Sequence, residues 1–192
     1  SFRDMSSPTT NTSGLGILMP DRFFSSNVYC GSSDNGGVHH NCSIPSYAAY
    51  LMAVGGQFNG CTIEAVGRGV EEAVFYYALR DYLTPSSDFE YAYTAIVAAC
   101  EEHYGEGSST CKQVTKALLA VEMDQGGTCS GESRVAPDCE AVDDPNHGAD
   151  PDVRAPVLAI STPLSGDKVK GRKKIVFTDD ELTAPQCSLD KK

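Results

Sequence analysis

The stretch Asp34-Asn35-Gly36-Gly37-Val38-His39 contains the residues best suited to do chemistry. Two consecutive glycines let a backbone turn sharply, because positive φ costs them little. Such a turn brings the Asp34 carboxylate back onto the His39 ring. A carboxylate on one ring nitrogen fixes the tautomer, orients the ring and raises its basicity. The other nitrogen is then free to donate a hydrogen bond or a proton. On those six residues alone the stronger reading is plainer: a turn carrying a surface histidine, since an aspartate five residues from a histidine is common.

The remaining titratable residues add little by themselves. Four histidines occur, His39, His40, His103 and His147. His40 and His103 read as surface residues. Arg68, following Gly67, reads as a helix-start ion pair. Cys30 and Cys42 bracket the Asp34–His39 turn with no basic partner at motif spacing, so neither reads as a nucleophile, and as a disulfide they would stiffen the turn. No HExxH, CxxC or DxDxDG motif is present, so no zinc or calcium site is expected in this chain. Eight cysteines, an even number, imply a disulfide framework and export. By closeness in sequence they pair as Cys30–Cys42, Cys100–Cys111 and Cys129–Cys139, which leaves Cys61 and Cys187 unassigned.

The elements that must position these residues are mainly helical. Residues 1–44 are rich in Ser, Thr, Asn, Gly and Asp and read as ordered loop, pinned by Phe23, Phe24, Val28 and Tyr29. Pro45 suits a first helical turn. Tyr47, Ala48, Leu51 and Met52 make a helical stripe that Gly55-Gly56 ends. Cys61 to Val66 reads as a short extended segment. Val70, Val74, Ala78 and Tyr82 mark a second helix, stopped by Thr84-Pro85-Ser86. Ser87-x-x-Glu90 reads as a capping box opening a third, through Cys100. Ser109 caps a fourth, through Val121. Four to five helices with short loops, preceded by a long N-terminal loop, form a domain over residues 1–123. Residues 124–156 form an acidic Cys/Pro/Gly linker. In the non-helical tail, 157–192, strands are expected at Val157–Ile160 and Lys174–Thr178, a pattern resembling the first strands of an Ig-like β module.

Bulk charge narrows the partners. Fifteen Lys and Arg against 26 Asp and Glu give a formal net charge of -11. That excludes nucleic acid, whose affinity rests on basic side chains neutralising phosphates, and it disfavours an anionic membrane surface. No apolar run approaches the ~20 residues of a membrane span. The chain starts at Ser1-Phe2-Arg3 and carries no signal-peptide pattern, so a secreted protein would have its export signal upstream, in a longer precursor.

Several segments in one order carry a resemblance. Asp34 to Asn41, then Ile44, Ala48, Ala49, Tyr50 and Leu51, is similar to the DNGGVHxN…I…AAYL segment of thermolysin-like peptidases. Gly67-Arg68, Phe75-Tyr76, Ala78-Leu79, Tyr82-Leu83-Thr84-Pro85, Ser87 and Phe89 follow that family's next helix and turn. Tyr104-Gly105 and Cys111 to Val121 resemble its last helices, and Phe2-Arg3-x-Met5-Ser6-x-Pro8 resembles its LRSMSDP segment. The similarity spans about residues 1–123, with a longer loop between Pro8 and Asp34. It implies the C-terminal helical domain of a secreted zinc metalloendopeptidase that hydrolyses peptide bonds. In that family zinc is held by HExxH and a Glu from the next helix, in a preceding lobe, and the Glu of HExxH is the general base. The present chain is therefore expected to be inactive alone and to need that missing lobe. The resemblance places His39 as the oxyanion-stabilising histidine and Asp34 as its orienting carboxylate. It places Arg3 as the arginine that holds a substrate carbonyl and Phe2 in the adjoining apolar pocket. Two non-enzymatic readings stand beside it: an extracellular binding or regulatory module derived from the same lobe, and an adhesive exported protein whose tail is the working part.

Overall fold

A computed structural model describes residues 4–125 and 136–144, and the backbone of 175–176 and 186–187. The chain divides into two compact units, residues 1–144 and 145–192. The first is mainly helical, with one small antiparallel hairpin.

Helix α1 spans Asp34–Asn41 and α2 spans Ser43–Val54. From Val38 on, residues read as loop up to 44 are instead right-handed helix, preceded by a left-handed turn at 34–37. In α2, Ile44, Ala48, Leu51 and Met52 recur on one face and are buried, the spacing that a 3.6-residue turn requires. Gly55 ends the helix at φ 72, where an added Cβ would lie 2.8 Å from the Ile63 carbonyl oxygen. Strands β1 (Gly56–Phe58) and β2 (Cys61–Ile63) then pair antiparallel, with Phe58 opposite Cys61. Asn59 and Gly60 turn the chain with φ of 50 and 88. An Asn-Gly pair matches the twist of a two-residue hairpin, a signal the reading of Cys61–Val66 as merely extended passes over.

Helix α3 covers Arg68–Tyr77 and continues into a wider π turn over Ala78–Tyr82, closed by Leu83 N–H donating to the Ala78 carbonyl at 2.9 Å. Arg68 makes the expected ion pair, with Glu72 one turn on, at 2.8 Å. Helix α4 is Phe89–Tyr104 and α5 is Ser109–Ala120. Their caps sit one residue from the expected places. Asp88 accepts from Tyr91 N–H at 2.9 Å, and Ser108 accepts from Cys111 N–H at 3.2 Å. Ser87 is occupied otherwise, accepting from Thr84 N–H at 2.9 Å.

The core lies where α2, α3, α4 and α5 meet, around Ile44, Met52, Val74, Ile96, Val114 and Leu118, each 2% exposed or less. Fully burying a side chain of this kind contributes about 1.5–3 kcal/mol. Cys100 and Cys111 form the expected disulfide across the α4–α5 turn, with Cα atoms 5.6 Å apart. The other pairings are corrected. Cys139 bonds Cys61, with Cα atoms 5.4 Å apart, which rules out Cys129–Cys139. Cys42 keeps its thiol, 3.3 Å from the His39 carbonyl oxygen, so Cys30–Cys42 is not formed. Closeness in sequence misleads here because the hairpin carries Cys61 to the chain beyond α5. That chain, residues 136–144, packs on the helical unit: Cys139 and Val142 are buried and Asp143 pairs with the buried Lys116 at 2.5 Å.

The long N-terminal loop is fixed at its end. Phe23 N–H donates to the Val121 carbonyl at 3.0 Å, and Phe24 N–H donates to Glu122 at 2.8 Å. Glu122 is fully buried and also accepts from the Asn59 amide at 2.9 Å. In the second unit, β3 (Ile175–Val176) pairs antiparallel with β4 (Gln186–Cys187). The expected strand Lys174–Thr178 contains β3; the expected strand Val157–Ile160 lies outside the described residues.

Candidate active site

Asp34 opens α1 at φ 54, and Asn35, Gly36 and Gly37 follow at 49, 84 and 79. Four left-handed residues in a row make a tight turn, and from Val38 the chain is right-handed again. The reversal lays the carboxylate of Asp34 over the amide and ring of His39. Oδ2 accepts from His39 N–H at 2.9 Å, and Oδ1 meets His39 Nδ1 at 2.6 Å. The two glycines thus do what their spacing predicts.

The charge state follows from the geometry. Hydrogen bonds from the His39 ring, then from its backbone N–H, hold the Asp34 carboxyl below the usual carboxylate range, while partial burial works weakly against them. Asp34 is therefore ionised at neutral pH and can only accept. The proton of the pair sits on Nδ1, and Nε2 is the edge left for another group. The His39 side chain is 74% exposed against 23% for Asp34, so the anchor is sheltered and the working edge is open.

A groove of about 950 Å³ runs along the same turn. Asn35, Gly36 and Val38 line it together with Phe75, Leu79 and Phe89. Its walls are mostly apolar, and Leu79 is 68% exposed. Glu71 also lines it, with its carboxyl pushed up by burial and by Glu72, against a smaller opposing effect of Arg68. His39 is not itself a lining residue, but Val38 beside it is. Met5 lines the groove; Arg3 and Phe2, expected on this face, lie outside the described residues.

His40 corrects its reading as a surface residue. It is fully buried. Its Nε2 donates to the Asn27 carbonyl at 2.7 Å, which leaves Nδ1 to accept from the Ser13 hydroxyl at 2.7 Å. Consecutive residues point apart, so the exposure of His39 and the burial of His40 are one fact. His103 is exposed, as expected, and stacks on Tyr77. Asn41 was missed as a candidate. Its amide meets Tyr29 and Gly36 and is 9% exposed. Its place as the last residue of the DNGGVHxN-like segment is the signal that could have marked it. Among the described residues no cluster of three or more His, Cys, Asp or Glu is placed to hold a metal.

Residues 1–123 match the family model for the thermolysin metallopeptidase alpha-helical domain. The chain belongs to the thermolysin metallopeptidase family. Similar proteins include Neutral protease B of Bacillus subtilis (strain 168), 45% identical over 102 residues, which are 53% of this chain and 19% of that protein. Thermolysin of Alicyclobacillus acidocaldarius is 41% identical over 102 residues, 53% of this chain and 18% of its own length. Bacillolysin of Bacillus cereus is 38% identical over 120 residues, 62% of this chain and 20% of its own. The matched stretch is about a fifth of each of these thermolysin-like relatives. Residues 1–123 hold the Asp34–His39 turn, the groove beside it and α1 to α5.

Proposed function

We propose that this chain is the helical C-terminal half of a secreted zinc metalloendopeptidase, and that His39 stabilises the oxyanion formed when a peptide bond is attacked. The observation that carries the reading is the 2.6 Å contact between Asp34 and His39 Nδ1, with the ring otherwise exposed. Protonated on both nitrogens, the ring bonds Asp34 through Nδ1–H and presents Nε2–H as a donor set in place before the reaction. Such donors act on charge that develops only in the transition state, so they raise kcat more than they improve substrate binding. Arg3 would grip a substrate carbonyl through its fork of donors, and Phe2 would line the adjacent apolar pocket.

The zinc and its ligands belong in this reading to a separate lobe. HExxH is absent from the sequence, and the described residues present no ligand set. The apolar groove beside the turn, with Val38, Leu79 and Met5 exposed, supports a lobe seated there, with the peptide substrate between. The disulfides Cys61–Cys139 and Cys100–Cys111 support an extracellular setting. No helix among the described residues is long and apolar enough to cross a membrane.

The test joins this chain to its upstream lobe and compares peptide hydrolysis with and without His39→Ala. The expected loss is ~10²–10³ in kcat with KM little changed. An unaltered kcat would remove His39 from the reaction and leave the binding-module reading in its place.

A further inference from the structure

The left-handed run at residues 34–37 is costly to hold. Asp34 and Asn35 are not glycines, yet both sit at positive φ, a region that costs ordinary L-residues roughly 1–2 kcal/mol, less for Asn and Asp. Gly36 and Gly37 N–H both reach the Ser33 carbonyl, at 3.2 and 3.0 Å. The turn is also exposed on its outer side, at Asn35 and Gly36. A side chain on its inner side braces it in this form.

Asn41 supplies it. Its side-chain amide uses both of its N–H donors and accepts once on its oxygen. Oδ1 accepts from Tyr29 N–H at 3.0 Å. Nδ2 donates to the Tyr29 carbonyl at 2.9 Å and to the Gly36 carbonyl at 3.3 Å. Tyr29 completes the hold from the other direction. Its ring packs on Gly37, where an added Cβ would come within 2.6 Å of Cδ1, and its hydroxyl accepts from Ser33 N–H at 3.2 Å. One amide thereby ties the middle of the turn to the residue that bridges both ends of it.

We propose that Asn41 is a positioning residue of the Asp34–His39 pair, acting through Gly36 and Tyr29 to keep the turn in which the carboxylate reaches the ring. The importance of the pair rests on the proposed oxyanion role, but the geometry can be tested without any activity. The measurement is NMR on the 192-residue chain, comparing native, Asn41→Ala and Asn59→Ala proteins. Asn59 is the control: a half-buried amide that donates to Ala120 and Glu122 away from the turn. In Asn41→Ala the Asp34 carboxyl should titrate higher, toward the ordinary carboxylate range, and protection of the His39 amide from exchange should fall about tenfold. In Asn59→Ala both should stay at native values. A folded Asn41→Ala chain with an unchanged Asp34 titration overturns the proposal. If that variant does not fold, native hydrogen exchange decides. The Asn41 side-chain amide and the His39 backbone amide should open together, with protection equal within about threefold; independent exchange overturns the proposal. Failure of the oxyanion reading would appear instead as an unchanged kcat in His39→Ala, with these spectra unaffected.

Discussion

Asp34 is a residue whose chemistry can be read from pH alone. Its pKa is depressed mainly by the His39 ring and next by the His39 amide. The unfolded chain lacks both donors, so Asp34 there titrates near the ordinary value of about 3.9. A carboxyl with a lowered folded pKa stabilises the fold fully above the unfolded pKa, and that contribution is lost as pH falls through the folded one. Asp34→Asn should therefore be less stable than the native chain at neutral pH, with the gap closing in acid; urea denaturation at a series of pH values measures it. A gap of constant size would show that the pair adds nothing through its charge. In the proposed two-lobe enzyme the same substitution should lower kcat less than His39→Ala, since the imidazole is still present but less firmly aimed. The residue types and spacing foretold this pair because both partners lie in one turn. Asn41 and His40 were not legible in the same way. Their partners Tyr29, Ser13 and Asn27 stand 12 to 27 residues upstream, and only a folded loop brings them together.

Among the elements, the start of α4 separates two readings that differ by one residue. The sequence offers Ser87-x-x-Glu90 as a capping box, but Asp88 caps the helix and Ser87 holds Thr84. Asp88→Ala should cost about 1 kcal/mol, the usual worth of a cap, and strip exchange protection from the Tyr91 amide. Ser87→Ala should leave that amide protected. The opposite pattern would return the cap to Ser87. The apolar stripes of α2, α3, α4 and α5 were legible because each helix buries one face at helical spacing. The hairpin and α1 were harder, since each depends on positive φ at Asn59 or at Asp34 and Asn35, which period-based reading does not register. The π turn at Ala78–Tyr82 has no sequence signal that distinguishes it from the helix it extends.

For the molecule as a whole, the acidic segment after α5 was the least legible. Composition marks it as a spacer, yet its described residues 136–144 belong to the helical unit, held by Cys139, Val142 and the Asp143–Lys116 pair. Tertiary contacts from β2 and α5 outweigh local polarity there. The Cys61–Cys139 bond, with a sequence separation of 78, closes the chain on itself around α3, α4 and α5, and Cys100–Cys111 forms a smaller loop inside it. Residues 61–139 are thus a covalent ring with a ring inside it, and a ring must be cut twice to lose a piece. The exposed stretch Thr84–Ser86 offers a protease one accessible cut within the larger ring. After that cut the two pieces should migrate together on a gel without reductant and separate only when a thiol is added. Separation without reductant would disprove the ring. A nick that would sever an open chain therefore leaves this one in a single piece, with the Asp34–His39 turn still attached.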